Sequence, residues 1–459
     1  MSRIPVIVIF DIGKTNKKIL LFDEQYKLVW GNSKQLKEIA DEDGFPCEDL
    51  QALTDWVNES LLAIQKDKLF RTVAINVSAY GASFVCLDVG GKPCLPLYNY
   101  LKPYPKELLQ KFYARYGGES AIGRKAASPS LGNLNSGLQL YRLKYERPEV
   151  YAKIKYALHL PQFISYLLTS KPWSDITSIG CHTCLWDFQE QKYHAWVIDE
   201  GIDKKLAPVK ACGEMHGYTK SKIPVGIGLH DSSAALIPYL MAFEEPFILL
   251  STGTWSISLN PFNHSQLSDY ELHNDCLCYL SYMGQPVKAS RLFAGYEHEQ
   301  QVANLAEHFG KPSDYYSTLS CNIDLLKKIK PVPAIKTVTE KDVMVGQSYF
   351  SQRDLHIFYS YEEAYHQLIA DIIEQQIRSI NLVLKGTGVK KIFVDGGFSR
   401  NSIFMHLLAE AFPTIEVNAA TVPQASALGA ALVIHPHWNT KPLPKDIIGL
   451  KLYSNALDG

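Results

Sequence analysis

The sequence predicts an α/β protein of two lobes with a cleft between them, and three observations carry that prediction. An apolar run, a small polar turn and a second apolar run occur twice, at residues 6–22 around Asp11-Ile12-Gly13-Lys14-Thr15-Asn16 and at residues 247–259 around Ser251-Thr252-Gly253-Thr254. The chain has 459 residues, beyond the ~250–300 at which a single hydrophobic core stops growing. In the second half a long helical pattern is followed by strand, glycine turn and helix, the mark of an α/β layer.

Each repeated unit reads as a β-hairpin: short apolar runs bounded by turn chemistry favour strands, and a glycine lets the backbone turn without a Cβ clash. Hydroxyls and backbone N–H groups at such a tip can surround an anion, and Asp11 can hold Mg²⁺ through water. Two unrelated hairpins with polar turns are the plainer alternative. Next, residues 49–67 place Leu50, Leu53, Val57, Leu61 and Ile64 at helical spacing. Residues 72–77 read as a buried strand, and the alternation at 82–88 ends at Gly90-Gly91, so the first half is expected to be a strand meander with one crossover helix. Residues 130–170 carry helical patterns around Leu138, Leu140, Leu143, Phe163, Tyr166 and Leu167, a helical insert. Residues 224–231 are expected to form the seam and 232–241 a helix, with the boundary near residue 243, which divides the chain into 1–243 and 244–459.

In the second half, Tyr365, Leu368, Ile372, Ile373, Ile377, Ile380 and Leu384 line one face of an amphipathic helix closed by Gly386. A strand at 391–394 runs into Asp395-Gly396-Gly397-Phe398-Ser399-Arg400-Asn401, and a helix at 402–412 stops at Pro413. Strand, glycine turn and helix N-terminus suit a nucleotide, and equally a routine βα connection.

Composition narrows the class. A formal net charge of -1 with 20% charged and 46% hydrophobic residues is that of an ordinary globular enzyme and argues against a nucleic-acid or membrane-surface binder. The apolar run at 5–10 is too short for a signal sequence and leads straight into Asp11, and no stretch reaches the ~18 apolar residues of a membrane span, so a cytoplasmic location is expected. Nine cysteines, an odd number, read as reduced thiols. The Cys181-His182-Thr183-Cys184 and Cys276/Cys278 pairs lack zinc-finger or thioredoxin-like settings.

Four motifs invite a joint reading: Asp11-x-Gly13-x-Thr15, Gly228-Leu229-His230-Asp231, Ser251-Thr252-Gly253-Thr254 and the turn at Gly396-Gly397. Together with Asp175-Ile176-Thr177 and Gln424-Ala425-Ser426-Ala427-Leu428-Gly429-Ala430-Ala431, they resemble the FGGY family of carbohydrate kinases over residues 7–432. The resemblance implies a duplicated actin-like (ribonuclease H-like) ATPase fold, with an ATP·Mg²⁺ site and a sugar site. It implies that Asp11, Gly13, Thr15, Asn16 and Lys18 belong to the first phosphate motif, Thr252, Gly253 and Thr254 to the second, and that Gly396, Gly397 and Asn401 lie by the adenosine. The first lobe would then hold the sugar and the second the adenosine. The family's catalytic base falls on Asp231, and Asp11 and Asp231 are the metal-facing carboxylates. Phosphoryl transfer to a hydroxyl needs such a carboxylate to receive the proton; the plainer role of Asp231 is a helix N-cap. His230 reads as structural; of Lys14, Lys17 and Lys18, one could reach phosphate, with Lys18 the candidate, or all three could be a solvated hairpin edge.

Within the family, the Asp11–Asn16 turn is similar to L-fuculose kinases, and Tyr80-Gly81 with Gly253-Thr254-Trp255 to L-rhamnulose kinases. Both sugars are 6-deoxyketohexoses phosphorylated at O1, and Tyr80, Gly81, Asn99, His182, Asp231 and Arg291 are the candidates for the sugar pocket. The sequence departs from the pattern at Ala82-Ser83, at residues 98–102 and at residues 291–296. Kinases of xylulose, ribulose or glycerol stay open, as does a non-kinase actin-like ATPase, which would need no base at the seam. A homodimer is left open. Gly118 and Gly123 are followed by Arg124-Lys125, not by the Lys-Ser/Thr of a P-loop.

Overall fold

The computed structural model describes residues 3–330, 349–422, 424–444 and 446–453. Among them two seven-stranded mixed sheets dominate, and the two share one wiring. In the first, strand Ile4–Ile12 pairs antiparallel with Lys17–Phe22, which pairs antiparallel with Leu28–Lys34. On its other side Ile4–Ile12 runs parallel to Phe70–Ala79, reached through helix Leu50–Lys66. In the second, Phe247–Thr252 pairs antiparallel with Ser256–Asn260, itself antiparallel to Pro286–Leu292, and runs parallel to Lys391–Gly396, reached through helix Tyr361–Leu384. The repeated hairpin is thus the visible part of a repeated half-molecule.

Local chemistry explains these elements. Asp49 caps the first crossover helix, its side chain accepting from Ala52 N at 2.9 Å, and Leu53, Val57, Leu61 and Ile64 turn one buried stripe to the sheet. Strand Ile4–Ile12 is apolar on both faces because both are covered. Val6, Val8, Phe10 and Ile12 pack with the crossover helix, while Ile7 and Ile9 join a second core containing Leu249, Phe247, Phe393 and the helix Ala425–Val433. That second core spans both halves of the chain.

Two helices cross at the centre: Asp231–Ala242, which links the sheets, and Ala425–Val433. At Gly429 a Cβ would lie 1.8 Å from the carbonyl oxygen of Ala234, so only glycine permits this approach. Asn76, fully buried, donates to Ala430 O at 2.7 Å and accepts from Gly228 N at 3.1 Å, tying the C-terminal helix to the first sheet.

Three expectations are corrected. Residues 84–87 leave the meander and pair with Tyr156–His159 in a separate ribbon, because both sides of Phe70–Ala79 are already taken, by Ile4–Ile12 and by strands from residues 224–230. The helical insert therefore contains a strand. Residues 224–230 are not a seam but strands of the first sheet, with Val225 beside Ile75 and His230 beside Ala79.

Candidate active site

The first tip is built by register. Asp11 faces Lys18 and Ile12 faces Lys17 at the end of the ladder, and Gly13 N closes the turn on Asn16 O at 2.9 Å. Asp11 is buried and accepts from Ser426 Oγ at 2.9 Å; Lys18 Nζ lies 3.9 Å from its other oxygen and donates to Gln424 Oε1 at 2.8 Å. Burial pushes the Asp11 carboxyl above the usual range against the pull of Lys18 and Ser426, and the charge of Asp231 pushes it further the same way. Those two acids are therefore electrostatic neighbours. Gln424 and Ser426 had no assigned role in the sequence, since their partners lie more than 400 positions away. Thr15 is exposed, and Asn16 Oδ1 accepts from Gln35 Nε2 at 3.2 Å.

The three lysines of this turn part company. Lys14 pairs with Glu38 at the surface. Lys17 is no solvated edge: it is buried against equally buried Glu48 at 2.6 Å and donates to Lys14 O at 2.9 Å, bracing the turn from beneath.

Asp231 is the first residue of its helix, and His230, not Asp231, occupies the cap position. Its Oδ1 accepts from Ser232 N at 2.6 Å and from Ser232 Oγ at 3.2 Å. The carboxyl is deep in the molecule yet keeps 36% of its side-chain surface open, and burial raises it to about 6. His230 Nε2 stands 3.3 Å from Oδ1, but burial lowers that imidazole to about 4, so it is neutral at pH 7. The His230 backbone is held in turn: its N–H donates to Thr177 Oγ1 at 3.0 Å, Thr177 donates to Asp175, and Cys212 Sγ donates to Asp175 Oδ2 at 2.8 Å.

At the second tip Thr252 is an anchor. Its hydroxyl donates to Asp395 O at 2.5 Å and accepts from Phe398 N at 3.0 Å, and its carbonyl accepts from Gly397 N at 2.9 Å. Gly396, at φ +90°, has its would-be Cβ 1.8 Å from Thr252 O, so hairpin and glycine turn are locked together. Gly253 and Thr254 line a cavity of about 480 Å³ with Gly295, His298, Glu299, Val302, Ala303, Ser313 and Tyr316. Of these, only the two tip residues were legible as site residues. Asn401 does not line it: its Oδ1 caps helix Ser402–Ala411 and its Nδ2 donates to Tyr365 OH at 2.8 Å.

The sugar candidates divide. His182 is buried with an unpartnered Nδ1, and its ring stands 6.0 Å from both His230 and Tyr279, the last brought by the second sheet. Burial holds His182 well below its ordinary value, helped by the charge of Arg291, so Arg291 is also near. Arg291 pairs with Asp275 through Nε and Nη2 at 3.0 and 2.6 Å, which balances its charge and leaves Nη1 outside the pair. Gly81 packs on His230, where a Cβ would meet the ring at 2.9 Å. Tyr80 turns its hydroxyl to Glu48 at 3.0 Å, and Asn99 Oδ1 is taken by Leu101 N at 3.0 Å. Burial raises the Tyr100 hydroxyl above its ordinary value, and the charge of Asp231 raises it further, as it does that of Tyr279. Tyr279 was not a candidate in the sequence, and Tyr100 lies in the 98–102 stretch that departs from the family pattern. Among the described residues no cluster of three or more His, Cys, Asp or Glu could hold a metal, and all nine cysteines are free.

Comparison with known proteins gives the family and the fold. The N-terminal domain description of the FGGY family of carbohydrate kinases matches residues 6–237, and the carbohydrate kinase FGGY C-terminal domain matches residues 244–442. A rhamnulokinase of Halalkalibacterium halodurans is 22% identical over 427 residues, 87% of this chain and 85% of the relative. One of Oceanobacillus iheyensis is 21% identical over 86% of this chain and 85% of its own. In fold, the chain is similar to a carbohydrate kinase from Novosphingobium aromaticivorans (TM-score 0.79, 21% identity, 99% of this chain and 95% of that one). It is also similar to a ligand-bound xylulose kinase from Lactobacillus acidophilus (TM-score 0.80, 16% identity, 99% and 94%). Plasmodium falciparum glycerol kinase with ADP gives 0.71 at 17% identity over 95% and 90%. Two domain matches that take in both hairpins, on the fold of solved sugar kinases, make this chain a member of the FGGY family of carbohydrate kinases, a phosphotransferase acting on a small sugar.

Proposed function

We propose that the enzyme transfers the γ-phosphoryl group of ATP to O1 of a 6-deoxyketohexose, L-rhamnulose or L-fuculose, with Asp231 as the base. The observation that carries this reading is Asp231 itself: a carboxylate deep in the molecule, partly open, held near 6 and beside a second acid. Such a group is ionised at neutral pH and still basic enough to take the proton of a hydroxyl as it attacks phosphorus.

The nucleoside is assigned to the cavity beside Gly253 and Thr254, and the phosphates to the two hairpin tips, with Gly13 and Thr15 on one side. Lys18, though tied to Gln424, is the cation nearest Asp11. Asp11 and Asp231 fit Mg²⁺ by the chemistry of the donor set: two hard oxygen ligands, both raised in part by uncompensated negative charge or burial. Mg²⁺ keeps several waters and takes one or two carboxylates with substrate phosphates. When bound, it would neutralise charge on the transferring group.

The sugar preference rests on two supports. The aligned relatives named above are rhamnulokinases. Around Asp231 the rings of His182, His230 and Tyr279 are neutral, and the charge of Arg291 is balanced by Asp275, which suits an uncharged sugar with an apolar methyl better than an acid such as gluconate. A second reading, a kinase of xylulose or glycerol, is favoured by the names of the similar structures. Sugar-dependent ADP release over L-rhamnulose, L-fuculose, L-ribulose, D-xylulose and glycerol decides between them. The highest kcat/KM on a 6-deoxyketohexose is expected; a clear preference for xylulose or glycerol would replace this reading.

A further inference from the structure

Beside the second tip, a hydrogen-bond relay runs from a helix cap to the wall of the 480 Å³ cavity. Asn401 Oδ1 accepts from Ile403 N and Phe404 N, both at 3.1 Å. Backbone N–H groups can only donate, so the amide orientation is fixed and Nδ2 must be the atom that donates to Tyr365 OH at 2.8 Å. The hydroxyl, with one lone pair thus engaged, has a single proton, and its other partner is His298 Nε2 at 3.0 Å. Given to Nε2, that proton satisfies both groups, whereas an Nε2–H would leave the hydroxyl proton without an acceptor in this relay. The ring is also gripped by edge contacts with Tyr316 at 4.9 Å, Phe398 at 5.5 Å and Tyr365 at 5.8 Å, so it has little freedom to flip. Burial lowers its pKa to about 4, leaving it neutral with one proton. With Nε2 accepting, that proton resides on Nδ1.

We propose that His298 is a nucleoside-specificity residue, locked by the Asn401–Tyr365 relay as an Nδ1–H donor to an acceptor atom of the nucleoside, either a ring nitrogen of the base or a ribose oxygen. Asn401 and Tyr365 are then positioning residues that act through His298 and need not touch the nucleotide. This rests on the reading that the cavity takes the nucleoside. Glu299, on the same wall, offers an acceptor, so cavity and ligand would exchange donors in both directions.

The experiment uses the full chain with ATP as the probe. His298→Gln, which moves the amide nitrogen to the place of Nε2, is expected to raise KM for ATP about tenfold, the size of one neutral hydrogen bond, with kcat and sugar KM changed by less than about twofold. His298→Asn sets its amide nitrogen where Nδ1 stood and is expected to recover to within about threefold of the parent. Tyr365→Phe keeps the ring but releases the lock, so ¹⁵N spectra of His298 should pass from the Nδ1–H tautomer to a mixture, a readout that loss of packing alone does not give. 3-Deaza-ATP, 7-deaza-ATP and 2′-deoxy-ATP separate base from ribose: the analogue whose penalty vanishes in His298→Gln lacks the atom concerned. Ala303→Trp, on the exposed side of the cavity, tests the underlying reading, and an unchanged KM for ATP there would sink it. If Ala303→Trp weakens ATP but His298→Gln does not, or His298→Asn is no better than His298→Gln, or no analogue couples, or the parent carries its proton on Nε2, the inference about His298 alone is overturned.

Discussion

At the residue scale, a carboxylate serves as a base only where its proton equilibrium allows, and Asp231 sits near 6 because burial opposes its charge. Below that pH the carboxyl is protonated and cannot accept, so kcat/KM for sugar should climb about tenfold per pH unit up to about 6 and level off above it. Asp231→Asn should cut turnover by about two to four orders of magnitude and keep ATP affinity; near-normal turnover would remove Asp231 from the role. The same shift has a stability sign. Between the unfolded value and about 6 the folded state binds more protons than the unfolded, so stability falls as pH rises through that window. Asp231→Asn should therefore raise Tm at pH 7.5 by more than at pH 4, measured by calorimetry. Lys17 gives a second residue-scale test. Lys17→Met strands Glu48 and should cost about 3–5 kcal/mol in urea unfolding, while Lys17→Met with Glu48→Met costs less, because no unpaired charge is left buried. Spacing alone could not separate Lys17 from Lys14 and Lys18, since burial of a lysine is decided by what comes to cover it.

At the element scale, hairpins and crossover helices were legible because their periods differ: Leu53, Val57, Leu61 and Ile64 recur at helical spacing, and residues 361–384 keep one apolar face. The alternation at 82–88 was equally legible as a strand, but not its partner, because pairing depends on which sheet edge is free. Contact between elements turns on glycines. Gly295 has its would-be Cβ 1.8 Å from Gly253 O, so Gly295→Ala must displace the second tip, and KM for ATP should rise while sugar KM holds. Gly429→Val, against Ala234 O, should cost about 3 kcal/mol or more in denaturant unfolding, since a backbone neighbour cannot yield as a side chain can.

At the scale of the whole molecule, one core joins the halves: Ile7, Ile9 and Ala74 from the first pack with Leu249, Phe393 and Leu428 from the second. Division at residue 243 would expose that core, so the separately expressed pieces 1–243 and 244–459 are expected to aggregate, and the intact chain to melt in one transition by both near- and far-ultraviolet dichroism. Two independent transitions would show that the lobes fold alone. What the sequence by itself determined is local and periodic: the duplicated hairpin, the amphipathic helices, the acids at Asp11 and Asp231, and the motif set that marks the family. Turn chemistry and apolar spacing are written within a few residues of one another. Only the tertiary structure decided what depends on closing loops of hundreds of residues: Ser426 and Gln424 against the first tip, Tyr279 beside His182, and the relay that holds His298. Those contacts come from how sheets and helices stack, and no local pattern records a partner that packing alone brings near.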